Sequence, residues 1–233
     1  MINFNKNAVR PIVCLRESWQ LIKDQYWLFV GICLVGTLIG SIIPFGILLG
    51  AMLCGIYGCY LRKLKGEQVS FGMLFKGFDH FKQSLIATLV IVIPMLTVVT
   101  PMYLWFAFSM AEKVKGMQGR PEVFMEFFWT QYLPGLLTIA AIVTPISIIV
   151  ATLIMFTYPL IAERGLPALT AIKLSVESSL SNLLGLLGLM VMNVAISLVG
   201  MSCCYVGSIL VMPLLLGAIV IAYKQVFHIP QMN

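Results

Sequence analysis

Four long stretches of the chain contain no charged residue, and they constrain the fold more than any other feature. They are residues 25–61, 83–111, 127–162 and 178–223. A transmembrane helix needs about 20 apolar residues, so each stretch can cross a bilayer at least once. Apolar residues make up 60% of the chain and charged residues only 10%, which leaves too little polar surface for a water-soluble domain. The sequence therefore predicts an all-α integral membrane protein, with residues 1–233 forming a single polytopic membrane domain.

The lengths of these stretches predict six transmembrane helices. The first and last stretches are too long for one span, which takes roughly 17–25 residues, and each divides into two. Pro44 is the natural break in the first stretch because proline cannot donate a backbone hydrogen bond, and residues 202–204 mark the break in the last. The predicted spans are 27–43, 45–61, 84 to about 108, about 133–159, about 182–201 and 205–223.

The basic residues predict the orientation of these spans. Lysine and arginine are enriched on the cytoplasmic side of membrane proteins. With the N-terminus inside, only Lys113, Lys115 and Arg120 of the 15 basic residues lie outside. Both termini are therefore predicted to be cytoplasmic. The basic residues predicted to lie inside are Lys6, Arg10, Arg16, Lys23, Arg62, Lys63, Lys65, Lys76, Lys82, Arg164, Lys173 and Lys224.

Three cytoplasmic segments, 12–26, 71–82 and 167–182, place apolar residues at helical spacing with polar residues between them. This pattern is typical of an amphipathic helix lying in the headgroup plane. Each segment precedes a pair of spans, which suggests parallel two-span repeats related by an axis along the membrane normal. The alternative is that any helix entering a bilayer from the cytoplasm has this pattern. The residues predicted to contact lipid are Trp19, Phe71, Phe75, Phe78, Lys76 and Lys82.

Glycines in the first two spans predict close helix packing. A glycine at every fourth position leaves a smooth face along which two helix backbones can approach. The sequence favours packing within the hairpin of these two spans, and docking of another membrane protein is the alternative. The residues concerned are Gly36, Gly40, Gly46, Gly50, Gly55 and Gly58.

No cluster of reactive side chains accompanies the predicted spans. All charged residues and both histidines fall outside them, whereas an enzyme needs converging titratable groups. The six cysteines form no Cys-x-x-Cys motif, and His80 and His228 are isolated, so neither a metal site nor a cofactor is predicted. No basic run with interleaved aromatic residues indicates a nucleic-acid partner. The sequence thus predicts no catalytic residue.

The segment between the third and fourth spans, 112–131, is the only sizeable region predicted to lie outside. Pro121 comes just before a short helix predicted to begin near Glu122. Phe124, Phe127 and Phe128 then share one face of that helix. This face either lies on the bilayer or docks a partner protein, because aromatic residues beside basic ones suit the core and rim of an interface.

Several short motifs resemble a known bacterial family. They are Ser-Trp-Gln-Leu-Ile-Lys at 18–23, Leu-Lys-Gly-Glu-Gln-Val-Ser-Phe at 64–71, Leu-Phe-Lys-Gly-Phe at 74–78 and Tyr-Pro-Leu-Ile at 158–161. Together they resemble the membrane-domain family named after the membrane half of certain glycerophosphodiester phosphodiesterases, and its stand-alone relatives. The resemblance implies a location in the bacterial inner membrane. The catalytic barrel of the phosphodiesterases is absent from the sequence.

These features favour a non-catalytic six-span inner-membrane protein that serves as an accessory or scaffold subunit. Its predicted partners are membrane lipids and other integral membrane subunits, and no nucleic acid. The alternative is a permease or a lipid-handling carrier, for which kinked spans and possible repeats are typical. Ion-coupled transporters usually carry charged residues at membrane depth, and the predicted spans contain none.

Overall fold

The computed structural model describes residues 4–42, 46–115, 120–202 and 206–227, and these residues are almost entirely helical. Within these ranges the chain forms no β-strand, in agreement with the predicted all-α class. They also include two 3₁₀ helices, Lys23–Gln25 and Phe71–His80, and a π-helical turn, Phe128–Tyr132. The α-helices are α1 Pro11–Ile22, α2 Tyr26–Ile42, α3 Leu49–Leu64, α4 Phe81–Lys115, α5 Pro121–Phe127, α6 Leu133–Ile154, α7 Thr157–Arg164, α8 Ala168–Leu180, α9 Leu183–Ser202 and α10 Val206–Phe227.

Length and apolar composition identify the helices that can cross a membrane. In the described residues, five helical segments are long and apolar enough to do so, which confirms the predicted class of helical membrane protein. α3 has 16 residues and is shorter than any of them, so its crossing stays a prediction. The five segments are Pro11–Ile42, Phe71–Lys115, Glu122–Arg164, Leu183–Ser202 and Val206–Phe227.

The second helix of the first uncharged stretch begins later than predicted. α3 starts at Leu49 rather than at residue 45, because Gly46 has a φ of +67°. That left-handed conformation favours glycine and does not continue a right-handed helix. Pro44, the predicted break, lies outside the described residues, as do residues 203–205 at the predicted break in the last stretch.

The third and fourth predicted spans also differ from the helices observed. α4 runs past the predicted end near residue 108 and includes Pro94 and Pro101 within its length. The fourth span divides instead, since α6 ends at Ile154 and α7 begins at Thr157. Hydrophobicity alone could not predict the break in the fourth span, because the residues on both sides of it are apolar.

α2 and α3 form an antiparallel hairpin with contacts along its whole length. Near the turn, Gly40 lies against the first residue of α3. Further along, Gly36 lies against the side chain of Ile56. At the opposite end, the Lys63 ammonium donates a hydrogen bond of 3.1 Å to Oε1 of Gln25. The chain therefore returns at the end of α3 to the level at which α2 begins.

The chain divides into two compact units, one of residues 1–89 and 151–233 and the other of residues 90–150. In the first unit, α10 contacts α1, α2, α3 and α9. Tyr60 of α3 is fully buried there, and its hydroxyl donates a 2.7 Å hydrogen bond to the backbone oxygen of Pro213 in α10. A buried polar contact of this kind fixes the position of one helix along another.

Three short helices of the first unit each bury one small residue against the rest of the unit. They are α1, the 3₁₀ helix Phe71–His80 and α8. The 3₁₀ helix packs on α3 and α8 packs on α7, the helices that precede them, whereas α1 packs on α10. A small buried residue, Ser18, Gly77 or Ser175, lies in each short helix. The Ser18 hydroxyl donates to the backbone of α10, and the Ser175 hydroxyl donates to the backbone of α6, each at 2.8 Å.

A polar residue just after each short helix binds backbone next to another short helix. Nε2 of Gln25 donates to the carbonyl two residues before the 3₁₀ helix, at 3.3 Å. Oε1 of Gln83 accepts from the first backbone N–H of α8, at 3.0 Å. Asn182 donates to the backbone oxygen of Asn5 and accepts from the N–H of Ala8, each at 2.8 Å. These links join the short helices in a closed cycle.

The unit of residues 90–150 has a small aromatic core of its own. Phe106 and Phe127 are buried within it. The ring of Phe106 lies 5.6 Å from the ring of Tyr132 and contacts the backbone at Gly135. Most other apolar side chains of this unit are exposed or half-buried. Lipid or another protein must cover them, since water cannot do so without a large free-energy cost.

Candidate binding cavities

Two adjoining cavities lie beside α3 and α7 of the first unit, and the smaller of them is also lined by the 3₁₀ helix. They share Gly58, Arg62 and Ala162. The smaller cavity has a volume of about 90 Å³ and is also lined by Lys76 and His80. The larger has a volume of about 390 Å³, and further charged residues line it. We refer to the two together as the polar cleft.

The charged side chains of the polar cleft differ in how strongly they are already paired. Nη1 of Arg62 lies 3.8 Å from Oε2 of Glu67, and both side chains are more than one-third exposed. An exposed pair at this distance contributes little stability, roughly 0–1 kcal/mol. Glu163, on the opposite side, accepts a hydrogen bond from the hydroxyl of Tyr223 and lies 3.4 Å from Nε of Arg164. Its charge is therefore already bound by groups that do not line the cleft.

The three phenylalanines of the 3₁₀ helix that were predicted to contact lipid are exposed. Phe71, Phe75 and Phe78 are 39%, 44% and 39% exposed. The expected α-helical spacing is wrong for this segment, which is a 3₁₀ helix. Residues three apart share a face in that geometry, and Leu74 and Gly77 turn together toward α3 and are buried, whereas Phe71, three residues before Leu74 in the first turn, remains exposed.

The remaining residues predicted to contact lipid are also accessible. Lys76 and Lys82 are exposed. Trp19 on α1 is 50% exposed, and its ring lies 5.6 Å from that of Tyr26 in an edge-on arrangement. All of these side chains are therefore accessible to lipid.

Four of the six glycines singled out in the sequence lie at close contacts. A Cβ on Gly36 or Gly40 would lie 2.8 or 3.1 Å, respectively, from the nearest atom of a neighbouring residue, and a Cβ on Gly50 would lie closer still; all three distances are shorter than an ordinary van der Waals contact. Gly55 lies directly against the backbone oxygen of Leu74, so the 3₁₀ helix can approach α3 only because this residue has no side chain.

The other two glycines, Gly46 and Gly58, have roles other than close helix packing. Gly46 lies in the turn before α3, where its positive φ requires glycine. Gly58 has nothing within 4 Å of the position that a Cβ would occupy. Instead of packing against a helix, Gly58 opens onto the polar cleft.

An apolar groove of about 320 Å³ lies between α4 and α6 within residues 90–150. Pro94, Val98 and Val99 contribute from α4, and Ile142 and Ile146 contribute from α6. The lining is almost wholly hydrocarbon. A groove of this composition suits an acyl chain or the side chains of another apolar helix.

The three phenylalanines proposed for partner docking surround one cavity of about 330 Å³. Phe124 is 41% exposed, whereas Phe127 is only 4% exposed and packs inside its own unit. The ring of Phe128 stacks on that of Tyr132 at 5.6 Å. The structure thus brings the predicted residues together, but Phe127 contributes to the core of the unit rather than to its surface.

Among the described residues, no group of three or more His, Cys, Asp or Glu side chains could hold a metal ion. The chain matches no protein-family model, and comparison with curated proteins and with solved structures finds no similar protein. The resemblance to the membrane-domain family of the glycerophosphodiester phosphodiesterases therefore stays a prediction.

Sequence reasoning did not identify the polar cleft. Arg62 and Lys65 were interpreted as charges that set topology, Lys76 as a further such charge that also contacts lipid, and Gly58 as a helix-packing residue. A usable signal was present, because Gly58 and Arg62 are four residues apart and share one face of a helix. The contribution of Ala162 could not be predicted, because it depends on how α7 packs on α3.

Proposed function

We propose that this protein is a non-catalytic accessory or scaffold subunit of the bacterial inner membrane, and that its 90–150 unit binds an apolar helix of another membrane protein. The observation that carries this proposal is the groove between α4 and α6, together with the exposed apolar side chains beside it. Trp105 and Phe108 of α4 are 72% and 70% exposed. Helix association in membranes depends on close van der Waals packing, which a preformed groove favours.

The proposal includes six spans, cytoplasmic termini and parallel two-span repeats. The cycle of short helices in the first unit supports the repeats, since Gln25, Gln83 and Asn182 occupy comparable places in it. The predicted excess of basic residues inside supports the orientation. In this arrangement the three short helices lie at the cytoplasmic surface, with Phe71, Phe75 and Phe78 in contact with lipid.

The test is native mass spectrometry of the tagged full chain, released from its own membrane in a mild detergent. We expect the chain to appear with a second polypeptide at fixed stoichiometry. Val99→Trp fills the groove and should release that polypeptide. Leu96→Trp is the matched control, since Leu96 is exposed on the same helix and does not line the groove. Equal retention of the polypeptide by both variants would contradict docking in the groove.

The same experiment tests the aromatic cavity at residues 124–132. Phe124→Ser combined with Phe128→Ser should release the second polypeptide if the partner also covers that cavity. Phe127 is left unchanged because it is buried in the core of the unit. If the double variant retains the partner while Val99→Trp loses it, the groove alone is the docking site.

A lipid-handling carrier is the second candidate, and one specific observation favours it. The groove has the dimensions and composition for an acyl chain, and the described part of α4 contains two prolines, Pro94 and Pro101, that each remove a helical hydrogen bond. In the same spectra, a lone chain that retains a lipid mass in the wild type and loses it in Val99→Trp would favour the carrier over the subunit.

A further inference from the structure

The smaller cavity of the polar cleft has the geometry of a compact anion site. Its volume of about 90 Å³ is several times the roughly 10–15 Å³ that one water molecule requires. The cavity has free space beside Gly58, because nothing lies within 4 Å of the position of a Cβ on that residue. Gly77 is buried at its edge, where the 3₁₀ helix meets α3. The lining of the cavity thus combines three glycines, Gly55, Gly58 and Gly77, with charged and polar side chains and with Cys54, Met73 and Ala162.

The charges around this cavity favour an anion. Arg62 and Lys76 line it together with His80, and Asp79 is the only acidic residue among its lining residues. Arg62 is paired with Glu67 only at 3.8 Å, which is longer than a hydrogen bond. A guanidinium carries five N–H donors, so this pair leaves most of them for a ligand. An arginine with a neighbouring lysine is a common arrangement for binding phosphate.

The position of the cavity, next to exposed aromatic side chains, is a second argument for a phosphate ligand. It is lined by the same 3₁₀ helix that exposes Phe71, Phe75 and Phe78. Aromatic side chains next to basic ones are typical of segments at the level of lipid headgroups. A phosphate bound by Arg62 could therefore belong to a lipid whose acyl chains lie along the phenylalanines, or it could be a free phosphate ester from the cytoplasm.

We propose that the polar cleft binds a phosphate group, held by Arg62 and Lys76 in the free space beside Gly58. Arg62 supplies a planar, charged donor set, Lys76 supplies a second positive charge, and His80 supplies a ring nitrogen at the same cavity. The larger cavity, which shares Gly58, Arg62 and Ala162, leaves room for the rest of the molecule that carries the phosphate. This site is independent of the groove between α4 and α6.

The experiment is a binding titration of the purified full chain in detergent. One arm uses inorganic phosphate and the other uses a short-chain phosphatidic acid, with binding followed by isothermal calorimetry. Arg62→Gln should weaken binding at least about tenfold, because it removes a charged hydrogen-bond donor. Lys173→Gln is the matched control, since Lys173 is 79% exposed on α8 and does not line the cleft.

Gly58→Leu provides an independent variant that removes no charge. Its side chain extends into the open space of the cleft and should block the ligand, whereas Gly58→Ala should retain binding. Binding of phosphatidic acid but not of inorganic phosphate identifies a lipid headgroup, and comparable binding of both identifies a free phosphate ester. The proposal is overturned if neither ligand binds the wild type, or if folded Arg62→Gln and Gly58→Leu bind as the wild type does.

Discussion

Gly55 and Gly58 lie one helical turn apart in α3 and have opposite surroundings. A methyl group on Gly55 would overlap the backbone oxygen of Leu74, while a methyl group on Gly58 would enter open space. Gly55→Ala should therefore force the 3₁₀ helix away from α3 and lower the melting temperature. Gly58→Ala should raise it, since alanine is favoured over glycine within a helix by about 1 kcal/mol. Thermal unfolding of both purified variants in detergent measures the difference, and equal melting temperatures would contradict the observed packing.

The same pair of residues shows what the sequence could and could not predict. Spacing identified both glycines as small residues on a helix, and that was enough to predict close packing in this region. Which glycine packs and which faces a cavity depends on the 3₁₀ helix, whose residues approach Gly55 from about 20 positions later in the chain. Asn182 is a similar case, because its hydrogen bonds to Asn5 and Ala8 join distant parts of the sequence.

At the scale of elements, the 3₁₀ helix Phe71–His80 has one face in the protein and another outside it. Phe75 is exposed, so Phe75→Asp removes little packing within the chain. If that face contacts lipid, the new carboxylate lies near hydrocarbon, where a charge is costly, and the yield of folded protein in the membrane should fall. Lys76→Ala is the control, because a lysine at the headgroup level contributes only about 1 kcal/mol. Equal yields would indicate a solvated segment.

The sequence predicted that these elements are helices, because apolar runs of this length can form few other structures. The ends of helices were less predictable. α6 and α7 separate where the Ser175 hydroxyl accepts from the N–H of Phe156 and donates to the carbonyl of Leu153. That side chain belongs to another helix, so no local pattern marks the break. Long-range hydrogen bonds of this type determine where a helix ends when the hydrophobic pattern does not.

At the scale of the whole molecule, the number of spans depends on α3. Its 16 residues extend about 24 Å at 1.5 Å per residue, less than the roughly 30 Å of a bilayer core. Two contacts nevertheless favour a full crossing. Lys63 binds Gln25 where α2 begins, at 3.1 Å, and the buried hydroxyl of Tyr60 binds the backbone of α10. An apolar helix paired with α2 from end to end should cross wherever α2 does.

Cysteine labelling from outside intact cells, in a background without the native cysteines, distinguishes six spans from five. Lys6, Gln68 and Glu122 are exposed positions before α2, after α3 and within α5. If α2 and α3 both cross, Lys6→Cys and Gln68→Cys lie on the same side and stay protected, while Glu122→Cys reacts with an impermeant maleimide. Labelling all three variants after permeabilisation is the control for reactivity. Opposite accessibility of Lys6→Cys and Gln68→Cys in intact cells would mean that α3 does not cross, and the repeat of span pairs would then lose its basis.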